Sequence, residues 1–239
     1  MLKATVEVYR QTRKLPDRFW NLWVCRPVAA AVVASVHRTR ITPNQITLVA
    51  FVIALVSAVI IALVPGYWGL LGGVVLFELS YVLDCADGML ARWRKTASPS
   101  GHLLDFLMDE IKAFCVLTAT AIRLFCTHDD ARYLLVGILG LVALATGVAV
   151  TTFLRRPEIA GPSAASSQVA ARPASLLRRL VQIAESGAQF AIHYPSYILF
   201  AALAGRIEYY LVPYVVTNTL YALRVLATVA MRFGRVEAG

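Results

Sequence analysis

The sequence predicts an all-α integral-membrane protein, a bundle of six transmembrane helices preceded by an amphipathic N-terminal helix lying in the membrane interface. Three observations lead there. Of the 239 residues 59% are hydrophobic and only 15% charged, whereas soluble domains carry about 25% charged residues. The mean hydropathy is +0.66. The apolar residues also fall into runs of the length that a hydrocarbon core of about 30 Å demands, roughly 20 residues per helix.

Residues 1–14 are polar and basic and are expected in the cytosol. In 17–37, Phe19, Trp20 and Trp23 mix with Arg18 and Arg26 ahead of an apolar stretch, which suits a helix whose rings sit at headgroup depth. A short spanning helix is the alternative there, but only about ten uninterrupted apolar residues follow Pro27, too few to cross easily. The first span is expected at 46–64, closed by Pro65-Gly66, and the second at 67–93, its last third polar. Lys95, Ser98 and Pro99 mark a turn. A third helix covers 101–126, and a fourth covers 133–154 after the short loop Thr127-His128-Asp129-Asp130. Residues 155–187 form a basic loop with a surface helix at 176–183. A fifth span at 188–204 and a sixth at 209–231 complete the bundle.

Six spans bring both termini to one side. That side collects eight Lys/Arg before residue 41, three in 92–95, five in 155–179 and two in 232–235, of 23 in all. By the positive-inside rule both termini and the 84–109 region are cytoplasmic, and a bacterial inner or plasma membrane is the expected location. The net charge of +9 is accounted for by these loops facing anionic lipid rather than by nucleic acid. Cys25, Cys85, Cys115 and Cys126 form no C-x-x-C pair and read as small hydrophobes. Residues 3–26 are interrupted by charges throughout, unlike a signal peptide. His193 and Tyr194 before Pro195 read as packing and a kink.

The chemistry lies in 84–109. Asp84, Asp87, Gly88 and Ala91 stand at i, i+3, i+4 and i+7, one face of a helix, and Gly101, Asp105 and Asp109 repeat at i+4 on another. Pro99 and Gly101 turn the chain between them, so the two acidic faces can meet at the ends of neighbouring helices. Four carboxylates at a membrane boundary need positive charge beside them. Oxygen-only ligands select a hard cation such as Mg²⁺ or Mn²⁺, and four suit two divalent ions clamping a phosphoryl group. Gly88 and Ala91 let a ligand approach the backbone, Arg92 offers a fork of donors for a diphosphate, and one aspartate can take a proton from an attacking hydroxyl. Acids that merely solvate helix ends explain two aspartates, not four on two matched faces. The eight fixed positions would coincide by chance at roughly one start position in 10¹⁰.

This pattern, D-x2-D-G-x2-A-R-x8-G-x3-D-x3-D, resembles the signature of the CDP-alcohol phosphotransferase family at every fixed position. The resemblance implies one membrane catalytic domain over 1–239, with a cytosolic or interfacial segment 1–40 and the bundle 41–239. It implies transfer of a phosphoalcohol group from a CDP-alcohol lipid, often CDP-diacylglycerol, to an acceptor hydroxyl with release of CMP, in phospholipid synthesis. It further implies that Asp84 and Asp105 bridge two metal ions, that Asp87 binds one, and that Asp109 binds the other and serves as base. Gly88, Ala91, Arg92 and Ser98 fall to the CDP moiety. The stretch Thr42-Pro43-Asn44-Gln45-Ile46-Thr47 resembles the family's approach to its first span and adds Asn44 and Thr47, although Thr-Pro-Asn is also an ordinary helix start. The resemblance implies a homodimer.

Glu78, Lys112, Arg123 and Arg224 lie inside hydrophobic segments, where ionisable groups are suspects for function. Lys112 either pairs locally with the acidic face or meets an anionic acceptor. Arg123 is expected to snorkel outward. Glu78 is a structural partner for Arg224. Arg155 and Arg156 anchor in headgroups or, with Arg224 and Lys112, bind a phosphate on the acceptor, as the resemblance to the family's inositol-phosphate-using branch implies; inositol phosphate, glycerol phosphate, serine and another inositol-containing alcohol all fit as acceptors. Two other classes compete: a small transporter or ion-binding protein using the aspartates as a cation site, and a non-catalytic scaffold. The first wants acids near the bilayer midplane, and the second does not need all eight positions intact.

Overall fold

The structure is a computed structural model that describes residues 2–13, 20–156 and 197–233. Among the described residues it is entirely helical. The elements are α1 (Leu2–Thr12), a π-helical turn (Asn21–Cys25) running into α2 (Arg26–Val36), α3 (Pro43–Leu63), α4 (Gly66–Trp93), α5 (Pro99–His128), α6 (Arg132–Leu154), α7 (Ile198–Leu203) and α8 (Glu208–Phe233). Five of them, α3, α4, α5, α6 and α8, are long and apolar enough to cross a membrane. They coincide with the first, second, third, fourth and sixth expected spans to within a few residues. The expected fifth span, 188–204, lies largely outside the described residues, of which Ile198–Leu203 form the short α7; the expected surface helix at 176–183 lies wholly outside them.

Local chemistry sets the helix ends. Thr42 caps α3: its hydroxyl accepts from Gln45 N at 3.3 Å while Gln45 Oε1 accepts from Thr42 N at 2.9 Å, with Pro43 in the first turn. At the end of α4, Lys95 N donates to Arg92 O and Thr96 N to Ala91 O, a Schellman closure that puts Lys95 at φ +56°. Ser98 then caps α5, accepting from Gly101 N at 3.1 Å. The turn that joins the two acidic faces is therefore built from ordinary stop and start signals.

Outward faces carry Val49, Val52, Val56 and Val59 on α3, Leu135, Ile138, Leu139 and Val142 on α6, and Val216, Leu220 and Leu223 on α8, all exposed. Such continuous apolar surface suits lipid rather than water. Inside, one core gathers Ile61, Leu70, Phe77, Leu117, Leu124, Leu211 and Tyr214. A second core gathers Val8, Cys25, Ala29, Val33, Ile46, Ala86, Met89 and Leu90, joining α1 and α2 to the ends of α3 and α4. Phe153 and Phe233 meet at 6.1 Å, so the ends of α6 and α8 share the side on which α4 ends and α5 begins.

The N-terminal segment is more ordered than its polarity suggests. Residues 2–12 form a helix whose buried face is Val8 and Thr12, a spacing of one turn too sparse to register as a periodic apolar stripe. Trp20 Nε1 donates to Glu78 near the middle of α4 at 3.4 Å, and Tyr81 donates to Asn21 at 2.8 Å. At the other end, the Arg94 guanidinium donates to the carbonyls of Val36, His37, Thr39 and Ile41. The π turn and α2 thus lie lengthwise along the second half of α4.

Two expectations about charges inside the helices fail. Arg123 does not snorkel: it is 8% exposed and donates to the carbonyls of Ile61, Val64 and Gly66. Ile61 lies in the last turn of α3, whose carbonyls lack helical partners, and Val64 and Gly66 lie at the turn into α4, so the guanidinium is satisfied without reaching water. Glu78 meets Trp20 rather than Arg224, because α8 packs chiefly on α6 and α5 and leaves Arg224 exposed.

Candidate active site

The ends of α3, α4 and α5 enclose a cavity of about 420 Å³ lined by residues 42–44, Thr47, Asp87, Gly88, Ala91, Arg92, Arg94, residues 96–98, Gly101, His102 and Asp105. All six residues expected to meet the CDP moiety, Asn44, Thr47, Gly88, Ala91, Arg92 and Ser98, line it. Helix phase explains why. Asp87, Gly88 and Ala91 share the face of α4 that looks toward α3 and α5, and Gly101 and Asp105 share the matching face of α5.

Two glycines set the closeness of the walls. A Cβ on Gly101 would stand 3.1 Å from Ser98 Oγ, a tight contact, and 3.4 Å from Asn44 Oδ1, so the first turn of α5 packs closely on its own cap and on the start of α3. A Cβ on Gly88 would stand 3.4 Å from Arg92 Nη1. The guanidinium of Arg92 therefore lies over the bare backbone at Gly88.

Asp84, Asp105 and Asp109 can each offer a carboxylate oxygen within 4.8 Å of the others. Asp87 stands outside this group, on the cavity side, 4% exposed and held by a hydrogen bond from the Thr47 hydroxyl. Asp105 belongs to both places, since it lines the cavity and joins the cluster. Its Oδ1 is buried without a hydrogen-bond partner among the described residues. Buried carboxylate oxygens are ordinarily satisfied, and an all-oxygen group holding one such atom fits a hard divalent cation.

Lys112 is in contact with the acidic face, the first of its two expected settings. It is 2% exposed, and its Nζ bonds Asp84 Oδ1 across the helix interface and Asp109 Oδ1 at 3.2 Å on its own helix. Its position follows from spacing: i+3 from Asp109 puts it on the same face of α5. One ammonium thus serves two carboxylates, the buried one of Asp84 and the more exposed one of Asp109.

The remaining expected acceptor residues do not line the cavity. Arg155 and Arg156 are exposed at the end of α6, and Arg224 is exposed on α8. Arg155 stands within electrostatic reach of Glu110, the residue after Asp109.

Sequence reasoning missed Arg94, Thr96, Ala97 and His102 as cavity residues. Their only signal was adjacency to the motif. It also missed Thr12, whose carbonyl accepts from Arg92 Nε at 2.9 Å across 80 positions of chain, a contact with no signal in spacing at all.

A family model described as CDP-alcohol phosphatidyltransferase matches residues 40–207. Over 106 residues the chain is 29% identical to the bifunctional IPC transferase and DIPP synthase of Aquifex aeolicus (strain VF5), a stretch that covers 44% of this chain and 24% of that protein. The matched stretch therefore spans about a quarter of that curated relative's length. With the family model extending over most of the chain and its apolar helices long enough to cross a membrane, the chain belongs to the CDP-alcohol phosphatidyltransferase family and is an integral-membrane enzyme of that class.

Proposed function

We propose that the enzyme transfers a phosphatidyl group from CDP-diacylglycerol to the hydroxyl of a small phosphorylated alcohol, inositol phosphate or glycerol phosphate, with release of CMP. The observation that carries this reading is Asp105: it forms a wall of the cavity and also stands within ligand distance of Asp84 and Asp109. A nucleotide-sized space thereby opens directly onto a cluster of carboxylates.

Asp84, Asp87, Asp105 and Asp109 would hold two divalent ions, Mg²⁺ or Mn²⁺, which when bound supply positive charge for the diphosphate and the departing CMP. Arg92 and the polar rim of Asn44, Thr47 and Ser98 hold the cytidine diphosphate portion, with Gly88 and Ala91 allowing it close to the backbone of α4. Asp109 takes the proton as the acceptor oxygen attacks the β-phosphorus. The bond from that phosphorus to the bridging oxygen breaks, and CMP leaves with the electron pair. Lys112, bonded to Asp84 and Asp109, keeps both carboxylates oriented. Arg155, Arg156 and Arg224 supply cations beside the cluster for an acceptor phosphate. The relative from Aquifex aeolicus, named as a bifunctional IPC transferase and DIPP synthase, supports a transferase or synthase reading.

The basic residues gathered at the site end of the bundle orient that end toward the cytoplasm of a plasma membrane, and a homodimer is carried by the family resemblance. A cation path is disfavoured, because the acids stand at the ends of α4 and α5 rather than at a break in mid-helix.

Purified enzyme given CDP-diacylglycerol, Mg²⁺ or Mn²⁺ and a panel of acceptors, with product mass as readout, tests the proposal. Inositol phosphate or glycerol phosphate is expected to yield the corresponding phosphodiester. A product formed only from unphosphorylated alcohols would remove the acceptor assignment, and no product from any alcohol would remove the reaction.

A further inference from the structure

Arg92 is fixed by an element that lies outside the region matched by the family model, which begins at residue 40. Its Nε donates at 2.9 Å to the carbonyl of Thr12, the last residue of α1. That carbonyl has no helical N–H available to it and lies at the negative pole of the helix, so it is a ready acceptor for a guanidinium. Thr12 is itself immobilised: it is 1% exposed, and its hydroxyl donates to Val8 O at 2.7 Å. Val8, also 1% exposed, is packed in the core with Cys25, Met89 and Leu90. Tyr9 donates to Leu22 O at 3.1 Å, tying α1 to the π turn.

We propose that α1 is a working part of the donor site, and that the Thr12 carbonyl positions Arg92 for the diphosphate of the nucleotide donor. Two-point recognition of a phosphate requires the guanidinium plane to be set before the ligand arrives. Here Nε is held from one side by α1, and the plane lies over Gly88 on the other. A lysine at this position could not make the Nε bond and present a planar fork at the same time. The end of the N-terminal segment thereby controls donor affinity without touching the donor, and Thr12 is a positioning residue. The inference rests on the proposed role of Arg92 toward the donor.

The test compares full-length enzyme with a variant lacking residues 2–12 and with Val8→Asp, which detaches α1 at unchanged length. Each is measured for binding of CDP-diacylglycerol in detergent micelles and for steady-state kinetics. Both variants are expected to weaken donor binding and raise donor KM about tenfold, the size of one lost hydrogen bond to a charged group. The acceptor KM and the kcat at saturating donor should change by less than about twofold. In an Arg92→Lys background, loss of α1 should cost no further donor affinity. Unchanged donor binding, or losses that add in the double variant, would overturn the inference. In the wild-type enzyme, CDP-diacylglycerol should slow amide hydrogen exchange in residues 2–12, because coupling between two sites is reciprocal. Exchange unaffected by donor overturns the inference even where neither variant folds. Arg92→Ala separates the two layers: full donor affinity in that variant defeats the donor-site reading itself, whereas a loss there with none on detaching α1 defeats only the role of α1.

Discussion

Lys112 Nζ lies 3.2 Å from Oδ1 of Asp109, one turn away on α5, and reaches across to Asp84 on α4. A single buried cation thus ties together the two helices that carry the acidic motif. Removing it leaves a cluster of carboxylates without a resident positive charge, a change that typically costs about 3–5 kcal/mol in a buried pair. Lys112→Met is therefore expected to lower the melting temperature in chelator-treated protein by several degrees. Added Mg²⁺ or Mn²⁺ should restore more of the loss than it adds to wild type, because a ligand that binds only the folded state stabilises it. Equal metal-induced shifts in both proteins would contradict the shared-cation view.

The proton-accepting role proposed for Asp109 separates chemistry from binding. Asp109 does not line the donor cavity, so Asp109→Asn is expected to cut transfer by about 10²–10⁴, the range of general-base catalysis. Affinity for CDP-diacylglycerol should stay within a few-fold of wild type. Single-turnover rates and donor binding on the same preparation check this, and a variant with near-normal turnover would exclude Asp109 as the base.

The hydroxyl of Thr47 is the partner that holds Asp87 on the cavity side. Thr47→Val keeps the shape and removes the donor, leaving a buried carboxylate oxygen short by one bond, at a cost of about 1–3 kcal/mol. Thr47→Ser retains a hydroxyl and should recover most of the loss. Thermal stability and donor KM for the pair check this; a Thr47→Val variant no more defective than Thr47→Ser would mean that the hydroxyl is not what holds Asp87.

Arg123 provides the contrast at the opposite end of the bundle. It is the buried donor to three carbonyls around the α3–α4 turn, and Arg123→Ala is expected to destabilise by about 3 kcal/mol. Turnover per folded molecule should be unchanged at a temperature where the variant remains folded. A selective loss of kcat without loss of stability would show that this end of the bundle communicates with the site.

Lys95 offers a change in the other direction. It occupies a left-handed conformation at φ +56°, one that a side chain disfavours by about 1–2 kcal/mol. Lys95→Gly is expected to raise the melting temperature by a few degrees. A lowered melting temperature would show that the Lys95 side chain has a stabilising role outweighing the backbone strain.

Most of the bundle was legible in the sequence because hydropathy is a local property. The bounds of α3, α4, α5, α6 and α8 follow from apolar length, Thr42-Pro43 and Ser98-Pro99 at the starts, and Pro65-Gly66 as a stop. The acidic site was legible because its members recur at i+3 and i+4 on two helices separated by a short turn, so sequence spacing alone sets their faces. What escaped was everything decided by distant packing. Nothing in the neighbourhood of Arg123 announces that the carbonyls of Ile61, Val64 and Gly66 will face it, so an outward course was the natural expectation. The polar composition of 2–12 concealed a helix whose burial depends on two residues, Val8 and Thr12. Lys112 was ambiguous for a different reason: spacing put it on the acidic face, but only the packing of α4 on α5 showed that Asp84 is within its reach.

The decisive measurement is CMP release from CDP-diacylglycerol by the purified enzyme with inositol phosphate or glycerol phosphate present, compared with Asp105→Asn, in which the residue shared by cavity and cluster loses its charge. Wild type is predicted to release CMP in step with a phosphodiester product, only when both a divalent cation and the acceptor are supplied, and Asp105→Asn to fall by at least about 10². CMP release that persists without the acceptor or after chelation, or an Asp105→Asn variant with wild-type turnover, would contradict the assignment of the cluster as the seat of transfer.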